Sequence, residues 1–137
     1  MSCIYPYMLD TNAASVLIRG RMDHELQNFF MEHGVCISVI TEAELRFGSK
    51  RRPEATRLAT TIEVFLQDTP ILPWTSSTAE IYAELRTRMG IRDIRLSAMD
   101  MLIAAHSLAE GSTLVSADRA FTQVPGLRLL DWSTSQQ

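Results

Sequence analysis

VCISVITEAELRFG, residues 35–48, joins a buried strand to an acidic helix. The first half is rich in β-branched residues, follows Gly34 and predicts a strand over residues 35–40. The second half opens with the Thr-x-x-Glu spacing of a capping box at Thr41 and Glu44, and it predicts a helix that ends at Gly48. A strand that passes directly into a helix is the repeating unit of an α/β domain.

Strands and helices continue to alternate on both sides of this stretch. Four further apolar runs predict strands at residues 4–9, 71–72, 113–115 and 127–130, of which 71–72 is an edge strand between two prolines. The remaining helices are predicted at residues 13–19, 23–32, 53–68, 77–89 and 100–110. The last of them is apolar on all sides, which predicts a helix buried in the middle of the domain. The alternation as a whole predicts an α/β fold with a parallel sheet.

Length and composition bound the class of protein. A chain of 137 residues fits one domain, residues 1–137, that is large enough to bury a core without disulfides. There are two cysteines, no run that approaches the roughly 20 apolar residues of a membrane span, and no recognisable signal peptide. We therefore expect a cytoplasmic protein.

The charge of the chain allows two interpretations. The net charge is −3, which argues mildly against a nucleic-acid binder, yet all but one of the 13 basic residues are arginine. Arginine binds phosphate through paired hydrogen bonds and stacks on bases. The basic residues crowd two stretches, 46–57 and 86–95. These stretches are either solvated loops or a surface that faces phosphate, and the sequence leaves both open.

Four acidic residues are expected near the carboxyl ends of strands. Asp10 directly follows the first strand, and Glu44 lies in the first helical turn after the second. Asp100 lies in the first turn of the buried helix, and Asp118 follows the strand at residues 113–115. Ligands of parallel sheets bind outside the carboxyl ends of the strands, so at least three of these acids can converge there. The position of Asp100 depends on how its helix crosses the sheet.

A cluster of carboxylates has a chemical consequence. Two unit charges about 4 Å apart repel by roughly 4 kcal/mol at an effective dielectric near 20, so such a cluster stays partly protonated or holds a cation. An oxygen-only ligand set suits Mg²⁺ or Mn²⁺ rather than zinc. Mg²⁺ takes its remaining ligands from water and substrate phosphate, which is typical of a phosphodiesterase site.

Each acid also has a purely structural interpretation. Glu44 and Asp100 occupy the third position of capping boxes, where an acid stabilises the helix by itself. Asp10 can form a turn or a cap, and Asp118 can cap a short helix that begins at Arg119. The shared sheet edge favours a site, since four independent caps need not fall along one edge.

Several segments resemble the signatures of VapC-type PIN-domain toxins. Residues 8–12 (MLDTN) and 37–48 (ISVITEAELRFG) are similar to the first two signatures, and residues 100–106 (DMLIAAH) are similar to the third. Residues 114–118 (LVSAD), 124–129 (VPGLRL) and 131–132 (DW) resemble the closing stretch of that family. The likeness covers nearly the whole chain, in order and with similar spacing.

This resemblance implies a fold, an activity and a set of partners. The fold is a compact three-layer α/β/α PIN-like domain with a central parallel sheet. The activity is that of a bacterial endoribonuclease toxin that depends on Mg²⁺ or Mn²⁺ and cuts tRNA or rRNA to inhibit translation. The partners are a second copy of the chain in a homodimer and a cognate VapB-type antitoxin whose tail blocks the acidic pocket. Operator DNA is bound only through the antitoxin, and no membrane is involved.

The resemblance also assigns roles by position. The acidic set that holds the metal and performs catalysis is matched by Asp10, Glu44, Asp100 and Asp118. Neighbouring polar positions that hold the carboxylates or the water are matched by Asn12 and Ser116. Arg46 matches a recurrent basic position and is predicted to support the acids or to contact phosphate.

Some features depart from the family or lie beside the site. The loop at residues 91–97 is more charged and bulkier than the Gly/Pro-rich loop of many relatives, which bears on substrate choice rather than chemistry. His106 lies almost two turns beyond Asp100 and is predicted to be structural. Trp74 and Trp132 can stack on RNA bases, but packing against the domain is favoured for Trp132.

Three other functions compete with a toxin. A receiver-like phosphoacceptor domain also clusters aspartates around Mg²⁺, but it requires a lysine on its last strand, and the only lysine here is Lys50. A PIN-like scaffold that binds RNA without cutting it is expected to lack one of the acids. A PIN nuclease of RNA processing or DNA repair keeps the acids, and the small size and the closing stretch favour the toxin over it.

Overall fold

The computed structural model describes residues 5–90 and 95–133, and within these ranges it contains five strands and six α-helices. The strands are β1 (Tyr7–Leu9), β2 (Val35–Ser38), β3 (Ile71–Leu72), β4 (Thr113–Val115) and β5 (Leu129–Leu130). The helices are α1 (Thr11–Ile18), α2 (His24–His33), α3 (Val39–Lys50), α4 (Thr56–Asp68), α5 (Ser76–Met89) and α6 (Ala98–Glu110). A short 3₁₀ helix spans Arg119–Gln123. None of the helices described is long and apolar enough to cross a membrane.

The strands form one parallel sheet in the order β3-β2-β1-β4-β5, so β1 lies at its centre. Met8 of β1 pairs with Cys36 on one side and with Leu114 on the other, and all three are fully buried. Leu9, the next residue, is equally buried on the opposite face, because successive side chains of a strand alternate across the sheet. Both faces of the sheet are thus apolar and need a cover of helices.

Helices cover the sheet on both sides. The face that carries Met8 packs against α5 and α6, and the face that carries Leu9 packs against α1, α2, α3 and α4. Ile103 to Ala105 of α6 are completely buried, as expected for the most apolar helix. The predicted α/β/α fold with a central parallel sheet is therefore confirmed.

The boundaries of α3 differ from those predicted. The strand ends at Ser38 rather than at residue 40, and the Ser38 hydroxyl caps the helix by accepting a hydrogen bond from the backbone N–H of Ile40 at 3.1 Å. Thr41 is therefore inside the helix and fully buried, so the predicted capping box is wrong. The helix also continues through Gly48 to Lys50 instead of ending at the glycine.

Two more helix starts were predicted at the wrong residue. Thr75 caps α5 by accepting from the backbone N–H of Thr78, so this helix begins at Ser76 rather than at residue 77. The chain before α4 forms a turn in which the backbone N–H of Ala55 donates to the carbonyl of Arg52. Pro53 occupies the second position of that turn, where its fixed φ is favourable, and the helix begins only at residue 56.

The two tryptophans are half-buried and make contacts within the domain. Trp74 donates its indole N–H to the carbonyl of Leu102 at 3.2 Å and packs edge-on against Tyr82. Trp132 packs against the cluster that contains Leu9. The contacts of Trp132 agree with the packing predicted for it, and Trp74, whose role the sequence left open, is also held within the domain. Of the loop at residues 91–97, positions 91–94 lie outside the described residues.

His106 connects α6 to the start of α3. It is completely buried, and its Nδ1 lies 2.7 Å from the Ser38 hydroxyl oxygen. Burial lowers the pKa of His106, and the backbone of Pro73 opposes this effect to a smaller extent. A neutral, hydrogen-bonded histidine in the core matches the predicted structural role. Ser38 thereby serves two partners, the helix and the imidazole.

Replacement of Ser38 by alanine is expected to destabilise the protein by about 2–3 kcal/mol. About 1 kcal/mol is the cost of a lost helix cap, and the remainder is the cost of leaving a buried imidazole nitrogen without its partner. Thr75→Ala is the matched control, since it removes an exposed cap that serves only its helix and is expected to cost about 1 kcal/mol. Urea unfolding of both variants measures the difference. Equal losses would mean that the bond to His106 contributes nothing.

Candidate active site

Three aspartates meet at the carboxyl end of the central strands. Asp10 directly follows β1, and Asp118 follows the neighbouring strand β4. Asp100 reaches the same place from the first turn of α6, and its charge, together with that of Asp118, acts on the Asp10 carboxyl. The crossing of α6, which the sequence did not fix, therefore brings Asp100 towards the other two aspartates.

Asp10 is the most buried acid of this group, with 4% of its surface exposed. Burial raises its pKa to about 6, and the negative charges of Asp100 and Asp118 push in the same direction. Hydrogen bonds from Ser116 and from the backbone N–H of Ala13, the latter at 2.8 Å, oppose this rise. The carboxyl group is thus held in place, and no basic side chain among residues 5–90 and 95–133 neutralises it.

Asp100 and Asp118, the two acids beside Asp10, differ in their surroundings. Asp100 is half-buried; burial raises its pKa, the charge of Asp118 adds to the effect, and hydrogen bonding with Ser97 opposes it. Asp118 is exposed and caps the 3₁₀ helix by accepting from the backbone N–H of Ala120 at 2.9 Å. Asp118 therefore combines the structural role considered from sequence with a position beside the other acids.

Glu44 joins this edge through a threonine. The Thr11 hydroxyl donates to the Glu44 carboxylate and lies 3.4 Å from the Thr41 hydroxyl. Because Thr11 follows Asp10 in the chain, this contact ties α3 to the end of β1. Glu44 is not among the charges that raise the pKa of Asp10, so the site consists of a group of three aspartates with Glu44 attached at its side.

The predicted supporting residues fall in three different positions. Ser116 is buried and joins two acids, since it donates to Asp10 and its hydroxyl oxygen accepts from the backbone N–H of Asp118 at 3.0 Å. Asn12 is exposed on the first turn of α1. Arg46 forms salt bridges with Glu42 and Glu63. Residues two positions apart on a helix point in directions that differ by roughly 200°, so Arg46 faces away from Glu44.

The donor set suits a hard divalent cation, because every group in it binds through oxygen. Among residues 5–90 and 95–133, no three acidic, histidine or cysteine side chains stand close enough together to chelate an ion as they are. Mg²⁺ commonly binds through one or two carboxylates and completes its shell with water and phosphate. A cation at Asp10 would also favour the charged form of this carboxyl group, whose pKa is raised first by burial and then by its negative neighbours.

The sequence pattern gave no specific role to Thr11, whereas the structure has it bonded to Glu44. The capping box predicted at Asp100 is confirmed, because the Ser97 hydroxyl accepts from the backbone N–H of Asp100 at 3.1 Å. The position of Thr11 directly after Asp10 was the one available signal. The bond itself joins residues 33 positions apart, so local sequence could not reveal it.

Comparison with known proteins adds independent findings. The profile of the PIN domain family matches residues 7–127. Ribonuclease VapC2 of Rickettsia felis is 30% identical over 130 residues, which cover 92% of this chain and 97% of the relative. The tRNA(fMet)-specific endonuclease VapC of Salmonella typhimurium is 27% identical over 128 residues, with 92% and 97% covered. The crystal structure of DNA-bound VapBC from Salmonella typhimurium superposes with a TM-score of 0.85 at 26% identity, covering 93% of this chain and 98% of that one.

Proposed function

Because the chain belongs to the PIN-domain family and is a VapC-type ribonuclease within it, we propose that it is a metal-dependent endoribonuclease toxin. In this proposal the whole chain, residues 1–137, is one PIN domain that acts in the cytoplasm. Its substrate is a structured RNA, tRNA or rRNA, and its cleavage inhibits translation. Support for a tRNA substrate comes from the relatives of Salmonella typhimurium and Shigella flexneri, both named as tRNA(fMet)-specific endonucleases.

The observation that carries this proposal is the buried Asp10 carboxyl beside Asp100 and Asp118. Its pKa is raised to about 6 first by burial and then by the two negative neighbours, so folding keeps this carboxylate in place at a cost in stability. Groups with such perturbed pKa values cluster at functional sites, where a ligand can offset that cost. A divalent cation would supply the positive charge that no described residue provides here, and the bound cation would in turn attract the negatively charged phosphodiester.

The four acids have different proposed roles in binding the metal. Asp10, Glu44 and Asp100 hold Mg²⁺ or Mn²⁺ directly or through water, and Asp118 completes the set. When bound, the ion polarises the phosphoryl oxygen, lowers the pKa of a water and stabilises the leaving oxygen. The protein keeps the carboxylates in position: Ser116 and the Ala13 N–H fix the carboxyl of Asp10.

The remaining side chains of the site support the acids and the substrate. Thr11 fixes Glu44 through its hydroxyl, so that the carboxylate faces the edge of the sheet. Asn12 is exposed at the mouth of the site, where it can position water or RNA. Arg46 supports α3 through its salt bridges and can reach phosphate only if it leaves them.

The proposed partners follow from the complexes to which the chain is similar. Structures of VapBC from Rickettsia felis and Salmonella typhimurium contain a toxin, an antitoxin and DNA. We infer that a VapB-type antitoxin neutralises this chain, that operator DNA is bound only through that antitoxin, and that the toxin itself forms a homodimer. A basic side chain from the antitoxin would fit the acidic edge by charge.

Cleavage of total tRNA and rRNA by the purified, antitoxin-free protein tests the proposal. Discrete cuts are expected with Mg²⁺ or Mn²⁺ and none with EDTA. Asp100→Asn removes one charge without changing the shape of the side chain and is expected to lower the rate at least about 100-fold, since it weakens the metal site. Asp68→Asn, an exposed acid at the end of α4, is the matched control and should cut normally. Absence of cutting by the wild type with metal present would leave an RNA-binding scaffold as the better description.

A further inference from the structure

A cleft of about 420 Å³ opens beside Glu44, between α1, α3 and α4. Thr11 and Glu44 line the end next to the aspartates, and Leu58 and Ile62 contribute an apolar wall. The cleft therefore continues from the acidic edge along the outside of the helical layer. A strand of substrate that leaves the acidic edge in this direction would enter it.

Three arginines line this cleft, namely Arg19, Arg51 and Arg52. All three are exposed, and none forms a salt bridge within residues 5–90 and 95–133. Arg46 of the same helix differs, because Glu42 and Glu63 neutralise it. Against the single acid of the lining, Glu44, the cleft has an excess of positive charge next to an acidic site. Such a surface attracts the phosphates of a chain whose cleaved bond lies at the acids.

Phe47 adds an aromatic surface to the same cleft. Its side chain is 62% exposed, and the guanidinium carbon of Arg51 lies 5.5 Å from the centre of its ring. Glu44, Phe47 and Arg51 are spaced i, i+3 and i+7, so they form one stripe along α3 that spans about 10 Å. An acid, an exposed ring and a cation thus follow one another along the wall of the cleft.

Gly48 keeps this wall open. It lies inside α3, where glycine costs about 1 kcal/mol relative to alanine, and its φ is not positive. An added Cβ would meet no protein atom within 4 Å, so neither backbone conformation nor packing requires glycine here. Glycine at this position leaves room for a ligand to approach the backbone closely. The empty space at Gly48 faces the cleft that it lines.

We propose that this cleft binds the single-stranded RNA that flanks the cleaved phosphodiester. One base stacks on Phe47, and Arg19, Arg51 and Arg52 bind phosphates on either side of it. Stacking on aromatic rings and arginine contacts to phosphate are how proteins hold single strands without reading every base. The inference rests on the proposed ribonuclease function and extends it to the residues that set where on an RNA the cut falls.

Binding of a fluorescent, unstructured single-stranded RNA to the antitoxin-free protein in EDTA tests the inference without cleavage. Arg51→Gln with Arg52→Gln is expected to reduce the slope of log K against log salt by about 1.4, since each phosphate contact to a single strand contributes roughly 0.7. Phe47→Leu is expected to weaken binding roughly 5- to 100-fold. The control Arg86→Gln with Arg88→Gln removes the same two charges from α5, on the other side of the sheet, and should bind like the wild type.

Gly48→Leu tests RNA binding in the cleft by a change that should not destabilise α3. Leucine is the better helix former, so the melting temperature should not fall, while its side chain fills the space beside Phe47 and weakens RNA binding roughly five-fold or more. In cleavage assays the cleft variants should raise KM more than they lower kcat, because they do not touch the reacting atoms.

The outcomes are distinct from those of the proposed function. If the wild type cuts RNA through Asp100 but all cleft variants bind and cut like it, the inference is overturned and the nuclease remains. If the variants still bind RNA but no longer bind the antitoxin, the cleft is a protein-binding surface, and the inference that it binds RNA is overturned. A wild type that binds RNA through the cleft without cutting any would support the inference and overturn the nuclease.

Discussion

Asp10→Asn is expected to abolish RNA cleavage and at the same time to stabilise the protein at neutral pH. Cleavage is lost because the buried oxygen ligand at the centre of the acidic group loses its charge. Stability rises because the Asp10 carboxylate is almost fully buried and has negative neighbours in Asp100 and Asp118. Asparagine keeps the oxygen that accepts from the Ala13 N–H, so the start of α1 should remain capped.

The size and the pH range of this stabilisation follow from the pKa. The folded pKa of about 6 lies above the ordinary 3.8, so the folded state holds its proton more tightly than the unfolded chain. As the pH rises from about 4 to 6, the unfolded chain loses its proton first, and the free energy of unfolding falls. The loss amounts to about 3 kcal/mol and persists above pH 6. Asp10→Asn removes it, so the stabilisation should be seen at pH 7 and should vanish near pH 4.

Thermal melts of metal-free wild type and Asp10→Asn from pH 4 to pH 8 measure this effect, beside cleavage assays at pH 7. Asp68→Asn, an exposed acid at the end of α4, should change stability by less than about 1 kcal/mol and leave cleavage intact. Mg²⁺ or Mn²⁺ should stabilise the wild type more than Asp10→Asn, since a ligand that binds only the folded state raises its melting temperature. Full cleavage by Asp10→Asn would show that the acidic group is not the active site.

Phe121→Ala is expected to destabilise the protein by about 3–5 kcal/mol, the largest effect on stability among the changes considered. Phe121 lies on the 3₁₀ helix, is 1% exposed and belongs to the core cluster around Met8 and Leu114. Alanine leaves a cavity there that rigid strands on one side cannot fill. Asp118 caps this 3₁₀ helix, and Phe121 fixes the helix to the core. The loss of the Phe121 ring should therefore displace Asp118 and raise the metal concentration needed for half-maximal cleavage.

Chemical denaturation measures the stability change, and Phe47→Ala serves as the control. Both changes remove the same ring, but Phe47 is 62% exposed, so its loss should cost less than about 1 kcal/mol. A Phe121→Ala protein of normal stability would mean that the 3₁₀ helix does not depend on its packing in the core. A normal metal requirement in a destabilised protein would separate Asp118 from the metal site.

The parts of the fold that sequence predicted well are those set by local pattern. Strand β4 has the predicted bounds, and α6 was recognised as the buried helix, because apolar periodicity reports how a segment is covered by its neighbours. Helix starts were predicted less well. Ser38 and Thr75 cap their helices two or three residues before the predicted starts at residues 41 and 77, since several polar residues in a row offer equivalent caps and the end of the strand decides among them.

The sequence alone determined the family resemblance, the parallel α/β/α architecture and the expectation that acids collect at one edge of the sheet. Only the tertiary structure decided how those acids are related. The crossing of α6 brings Asp100 towards Asp10 and Asp118, the Thr11 bond attaches Glu44 at the side, and the salt bridges of Arg46 turn it outward. The cleft at Phe47 and Gly48 likewise emerges only when α1, α3 and α4 pack together. Local patterns encode which face of an element is buried, whereas contacts between residues far apart in the chain depend on how the elements pack.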